Sequence, residues 1–192
     1  MATTNRHKVA EIRRVLAGTE IEIVTLDAWP SIAAPAETGR TFEENARAKA
    51  GYYAAATGVL TAAEDSGLEI DALGGAPGVE SARYAGESTP YPEKFARMYD
   101  ALDRAGGRGS PARFVCALAL ATPERIVFEA RGTVEGRIAP APAGAGGFGY
   151  DPIFFYPPYR RTLAEVTPEE KSAVSHRGEA FRKLRDYLAT GR

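Results

Sequence analysis

Two adjacent carboxylates, Glu64 and Asp65, sit in the stretch AEDSGL, directly after the apolar run Val59–Ala63. Neighbouring acids repel, and a strand end leading into Ser66-Gly67 would form without the second one. A pair of hard oxygen donors suits a divalent cation such as Mg²⁺ or Mn²⁺, and either acid could take a proton from an attacking water. Glu44 is a third candidate donor, although it is equally explained as the acid of a T-x-x-E capping box begun by Thr41. Asp65 likewise has a plain reading, as a turn residue before Ser66-Gly67.

Four further polar clusters stand outside the apolar pattern. Thr3, Thr4, Asn5 and Lys8 fall at the start of a helical repeat, Val9, Ile12, Leu16. Free N–H groups and the positive end of a helix favour phosphate there, and a lysine adds a point charge. No GxxxxGK[ST] run exists, so this is not a P-loop. The cluster Glu44, Asn45 and Lys49 lies on the next predicted helix. GAGGFG carries a formal G-x-G-x-x-G, but APAPA precedes it and DPIFFYPP follows, whereas a dinucleotide fingerprint requires a strand and then a helix. What remains is a glycine loop presenting Phe148, Gly149, Tyr150 and Asp151, a flat ring with an acceptor, suited to stacking a base and reading its edge.

Lys171, Ser175, His176 and Arg177 form the last cluster, with Lys171 and Ser175 on one face if a single helix runs through them. A Ser-His nucleophile is rejected, because adjacent residues do not face one another and no G-x-S-x-G elbow occurs. Lys171 and Arg177 are donors only, so against a purine they select a 6-oxo over a 6-amino group. Leaving such donors unpaired can discriminate by about 10⁴-fold.

The bulk composition frames these sites. The chain has 192 residues, 44% hydrophobic and 26% charged, with a formal net charge of −1. This suits one globular domain spanning 1–192 and gives no global attraction to nucleic acid polymers or membrane surfaces. Cys116 is the single cysteine and there are two histidines, His7 and His176, which leaves no His/Cys set for zinc and no internal disulfide. No targeting segment or long apolar run is evident, so a cytoplasmic protein is expected.

The elements that must position these residues follow from periodicity and punctuation. Helices are expected from Asn5 to Gly18, from Thr41 onward, over Pro92–Ala105, from Thr167-Pro168, and through Phe181, Leu184 and Leu188. Strands are expected over Ile21–Leu26, Val59–Ala63 and Leu68–Ala72, followed by a hairpin of Arg113–Ala121 with Ile126–Ile138. Alternation of strand and helix together with a hairpin predicts an α/β protein with a mixed sheet.

Six ordered motifs carry a resemblance. T-x-N-x-x-K (Thr3–Lys8), F-x-E-N-A-x-x-K-A (Phe42–Ala50), E-D-S-G-L (Glu64–Leu68), L-G-G-A-P-G-x-x-S-A-R-Y-A-G (Leu73–Gly86), G-G-F-G-Y-D-P-I-F (Gly146–Phe154) and E-E-K-S-A-x-S-H-R-G (Glu169–Gly178) together resemble the inosine triphosphate pyrophosphatase family. The resemblance implies Mg²⁺-dependent hydrolysis of ITP, dITP and XTP to the monophosphate and pyrophosphate by a homodimer. It also implies a two-lobed α/β fold on a long mixed, twisted sheet flanked by helices, with the nucleotide in the cleft between lobes. Asp65 matches the catalytic acid and metal site, with Glu64 and Glu44 beside the metal. Thr3, Thr4, Asn5 and Lys8 match the triphosphate segment, and Ser66, Phe148, Gly149, Tyr150, Asp151, Lys171, His176 and Arg177 match nucleotide and base contacts. Two positions depart from the pattern. Thr4 stands where the family commonly has Gly, and Met1-Ala2 stand where its first strand precedes T-x-N. A nucleotide-binding regulator without hydrolysis and a phosphatase releasing inorganic phosphate are the alternatives from other classes.

Overall fold

The computed structural model describes residues 1–191, which form two compact units that share the chain between them. The first comprises Met1–Ser66, Cys116–Gly132 and the segment from Ser175 on; the second comprises Gly67–Val115 and Thr133–Val174. Five strands, β1 (Thr61–Ile70), β2 (Pro111–Ala121), β3 (Ile126–Ile138), β4 (Phe154–Tyr156) and β5 (Arg161–Thr162), follow one another in the sheet in chain order. Where strand–helix alternation led us to expect a mixed sheet, the pairings of β3 with β4 and of β4 with β5 are antiparallel.

In the first unit three helices surround the acidic strand. Helix α1 (Arg6–Val15) is capped by Asn5, α2 (Phe42–Thr57) by Thr41, and α5 (His176–Ala189) by Ser175, whose hydroxyl accepts from the Gly178 N–H at 3.0 Å. Each cap satisfies a backbone donor that the helix cannot pair internally. The apolar faces of α1 and α5 supply Ile12, Leu16, Phe181 and Leu184 to a core completed by Cys116, Leu118 and Leu120 of β2. Burying each of the larger side chains contributes about 2 kcal/mol.

The second unit is built around α3 (Tyr91–Arg104), whose Phe95, Met98, Tyr99 and Leu102 pack with Leu68, Ile70, Ile138, Ile153 and Phe154. Buried polar atoms here are paired locally: Tyr99 donates to the Ala139 carbonyl at 2.9 Å, and Lys94 to that of Ala82 at 2.6 Å. Helix α4 (Pro168–Val174) opens with a reciprocal cap, in which Thr167 Oγ1 accepts from the Glu170 N–H and the Glu170 carboxylate accepts from the Thr167 N–H.

Three expectations are corrected. Ile21–Leu26 is not a strand: its alternating Ile21 and Ile23 pack against the first unit's core, but the segment joins no ladder. Burial of one side is enough to explain the alternation. Val59–Ala63 and Leu68–Ala72 are not two strands: Thr61–Ala63 and Leu68–Ile70 belong to one, β1, which runs through Glu64-Asp65-Ser66-Gly67, while Val59-Leu60 precede it and Asp71-Ala72 open a 3₁₀ turn after it. The helix after Thr167 does not continue past Ser175, because that residue turns extended to cap α5. Lys171 and Ser175 therefore do not share a helical face.

A cavity of about 380 Å³ in the first unit is lined by apolar side chains including Ile21, Ile23, Leu60, Leu120 and Leu188, and by none of the candidate site residues. Among the described residues, no helix is long and apolar enough to cross a membrane.

Candidate active site

Because Glu64 and Asp65 are consecutive within a strand, their side chains leave on opposite faces. Each meets a different set of partners. Glu64 is fully buried, with Oε1 2.6 Å from Lys8 Nζ and 3.5 Å from Arg177 Nη2, while the Cys116 thiol donates to Oε2 at 3.6 Å. Burial alone would raise its pKa, but the charges of Lys8 and Arg177 overcome this and hold the carboxyl far below the usual range. Cys116 is pushed the other way, by its burial and then by the Glu64 charge, so its thiol stays protonated and inert.

Asp65 faces α2. Asn45 Nδ2 donates to Oδ2 at 2.9 Å, and Lys49 Nζ to Oδ1 at 3.2 Å. Lys49 is divided, since it also donates to Glu37 Oε1 at 2.6 Å. Burial raises the Asp65 pKa above the ordinary value; Lys49 and Asn45 offset this only in part. The two acids thus differ in kind: Glu64 is a fully compensated anion, Asp65 an under-compensated one.

Arg177 knits the Glu64 side together. Its guanidinium is 2% exposed, donates from Nη1 to Glu11 Oε2 at 2.5 Å and from Nη2 to Ser66 Oγ at 2.8 Å. Burial opposes the charge, but Glu64 and Glu11 outweigh it and keep the group protonated. His176, the first residue of α5, is buried beside it in sequence. The close approach of β3 to this turn requires Gly132, because a Cβ there would lie 2.1 Å from the His176 carbonyl oxygen and 2.7 Å from the Ala180 nitrogen.

The Thr3–Lys8 segment differs from the expected cradle of free N–H groups. Asn5 Oδ1 accepts from the N–H groups of His7 and Lys8, at 3.0 and 3.2 Å, and Thr3 Oγ1 accepts from the Asn5 N–H at 3.1 Å. The Lys8 ammonium is engaged by Glu64, so the donors left for an anion are chiefly the hydroxyls of Thr3 and Thr4. Thr4 and Asn5 are exposed. Ala2 N–H donates to the Ala62 carbonyl at 2.8 Å, so Met1-Ala2 tie this segment to β1 by a single sheet-like bond.

The second unit holds a separate cluster. Asp151, 2% exposed, is ion-paired with Lys171, and its Oδ2 also accepts from the Phe148 N–H at 2.7 Å. Lys171 Nζ lies 4.8 Å from the centre of the Phe148 ring. Gly147, with φ +66, brings the backbone so close to Asp151 that a Cβ would stand 2.1 Å from Oδ2. Tyr150 turns inward: its hydroxyl donates to the Ser81 carbonyl at 2.8 Å and its ring meets Tyr91 edge-on. It supports the loop from below, with Gly149 above it in the chain.

As to a metal, the donor chemistry fits a hard divalent ion: Asp65 is a buried carboxylate whose charge the protein neutralises incompletely. Glu64 and Glu44 are committed elsewhere, Glu64 to its two cations and Glu44 to the Arg40 N–H at 2.6 Å. Among the described residues, no three His, Cys, Asp or Glu side chains converge as a metal-binding group.

Sequence reasoning missed Glu11 and Glu37. Glu11 had a signal, lying three residues after Lys8 and so on the same face of α1; Glu37, in a Pro-rich loop, had none. Asn45 and Lys49 stand out in the sequence only as polar residues; their attachment to Asp65 shows only in three dimensions.

The fold and these centres define an α/β protein with a strand-borne acidic pair, a capped cationic helix start and an aromatic–lysine loop. The chain belongs to the Ham1 family, whose model matches residues 1–187. It is 49% identical over 184 residues to a dITP/XTP pyrophosphatase of Gloeobacter violaceus, covering 96% of this chain and 90% of that one. Identity to the dITP/XTP pyrophosphatase of an Exiguobacterium species is 47% over 184 residues, covering 96% and 93%. Among solved structures, a HAM1 protein from Coxiella burnetii superposes with a TM-score of 0.91 at 41% identity, covering 98% and 96% of the two chains.

Proposed function

We propose that this chain is a nucleoside triphosphate pyrophosphatase that hydrolyses ITP, dITP and XTP to the monophosphate and pyrophosphate, removing these nucleotides from the pool. The observation that carries the reading is its similarity, over nearly its full length, to relatives named dITP/XTP pyrophosphatase. The local chemistry supports it.

In this reading Phe148 stacks the purine, and Lys171, held by Asp151 beside the Phe148 ring, donates to the 6-oxo group. A 6-amino group would leave that buried ammonium facing a donor, which disfavours ATP. Asp151 acts through Lys171, because its Oδ2 already accepts from Phe148 and Lys171. The Thr3 and Thr4 hydroxyls and Lys8 take the triphosphate, with Asn5 fixing the turn that presents them. Asp65 accepts the proton of the attacking water as the α–β phosphoanhydride bond breaks and the electron pair leaves on pyrophosphate; Lys8 offsets the charge that develops there. Mg²⁺, with Mn²⁺ as a substitute, would be held by Asp65 and would supply Lewis-acid neutralisation of the triphosphate; Glu64 and Glu44 would serve as further carboxylates only once released from Lys8 and from the Arg40 N–H. Ser66, His176 and Arg177 complete the nucleotide contacts, with Arg177 anchored by Glu11. A cytoplasmic homodimer is the setting we propose, and the buried lone thiol of Cys116 suits a reducing compartment.

The test is an incubation with ITP, XTP, ATP and GTP plus Mg²⁺, with pyrophosphate and phosphate measured separately. Pyrophosphate from ITP and XTP, with little from ATP and GTP, is expected. Release of phosphate alone would make the protein a phosphatase, and binding without product would make it a regulator; either overturns the reading.

A further inference from the structure

We propose that Lys8 is an exchangeable clamp: it holds Glu64 in the free protein and is drawn onto the polyphosphate when nucleotide binds, leaving Glu64 to Arg177 alone. This rests on the reading of Thr3–Lys8 as the triphosphate segment.

Glu64 has two cationic partners, and they differ in freedom. Arg177 is fixed at three points: its side chain is 2% exposed, Nη1 is engaged by Glu11 at 2.5 Å, and Nη2 meets Ser66 at 2.8 Å and lies 3.5 Å from Glu64. Lys8 is rooted on the first turn of α1, where Asn5 holds its N–H, but its side chain is 20% exposed and its flexible four-carbon stem ends in a single contact, 2.6 Å from Glu64 Oε1. That contact is one charge pair, made to a carboxylate whose side chain has no exposure. Of the two cations only Lys8 is able to change partner.

Charge balance gives the direction. Lys8 and Arg177 against Glu64 and Glu11 sum to zero in the free protein. An arriving polyphosphate carries several negative charges within reach of the partly exposed ammonium and offers it more acceptors than one carboxylate does. Moving Lys8 costs the buried ion pair, and that cost is subtracted from the affinity for phosphate. It also uncovers Glu64 only when substrate is present, so the second acid of the pair is masked in the empty protein.

The cost is directly measurable. Inorganic tripolyphosphate, in the absence of divalent metal, is titrated calorimetrically into the wild type, Glu64→Gln, Lys8→Met and the double variant. With the clamp, Glu64→Gln binds tripolyphosphate about tenfold more tightly than wild type, because Lys8 starts free. In the Lys8→Met background the same change gives a much smaller gain, since only the general loss of a negative charge remains. An equal gain in both backgrounds, or no gain in the wild-type background, overturns the clamp. Binding indifferent to Lys8→Met overturns instead the assignment of Lys8 to phosphate, so the two failures are distinct. As a measurement on the unaltered protein, the ¹⁵N resonance of the Lys8 ammonium, identified by its disappearance in Lys8→Arg, is expected to shift and saturate as tripolyphosphate binds. A resonance that stays in place while the anion binds overturns the exchange even if Glu64→Gln does not fold.

Discussion

At the scale of single residues, the acidic pair is a division of labour imposed by β-strand geometry. Glu64 faces two cations and is held charged, whereas Asp65 receives half of one lysine and an amide. Burial of Asp65 raises its pKa, so its charged form is disfavoured in the folded state. The sign follows: the penalty is fully present at neutral pH, where Asp65 is ionised in folded and unfolded chains alike, and it vanishes below about pH 3.9, where the unfolded side chain is also protonated. Asp65→Asn is therefore expected to lower kcat by about 10²- to 10⁴-fold. At pH 7 it should raise the melting temperature by a few degrees, corresponding to about 1 kcal/mol, the usual scale when a functional site is relieved of strain. Calorimetry at pH 7 and near pH 4 checks it, with the gain shrinking at the lower pH. A variant that lost stability as well as activity would make Asp65 a structural anion.

At the scale of elements, α5 is placed by its cap and by one close contact. Ser175 ends the preceding helix and starts the next, and Gly132 lets β3 touch the first turn, where His176 and Arg177 sit. Gly132→Ala is expected to cost about 1–3 kcal/mol through overpacking against the His176 carbonyl and to lower activity by shifting Arg177 away from Glu64. Urea unfolding and steady-state kinetics on the same sample measure both. These elements were unevenly legible in the sequence. Helices α2 and α4 were readable because their caps are local, T-x-x-E and T-P-E-E, and α3 and the β2–β3 hairpin because their apolar spacing repeats. The single strand β1 was not: Asp, Ser and Gly within five residues signal a turn, and what overrides that signal is Lys8, Arg177, Asn45 and Lys49, which come from other elements. The break at Ser175 was missed for a related reason, since a serine inside a helical pattern looks the same whether it faces solvent or caps. At the site, the donors and acids were visible as residue types; who holds whom was not.

At the scale of the whole molecule, neither compact unit is a contiguous piece of chain. The polypeptide passes from one unit to the other four times, three of them within the strands β1, β2 and β3 and one at the junction of α4 and α5. The second unit's core draws Leu68, Phe95 and Met98 from one segment and Val134, Ile138 and Phe154 from the other. The fragment Gly67–Val115 by itself is therefore expected to lack cooperative structure, exposing apolar surface that only residues 133–174 cover. Circular dichroism with thermal melting tests this, and a sharp melt from that fragment alone would contradict it. Finally, the passage of β1 through Glu64 and Asp65 makes the molecule sensitive to parity. A substitution at either position alters one centre and spares the other. A one-residue insertion or deletion between Thr61 and Glu64 leaves both acids present yet turns each onto the face the other occupied. In this part of the gene, changes of length should thus be far less tolerated than changes of letter.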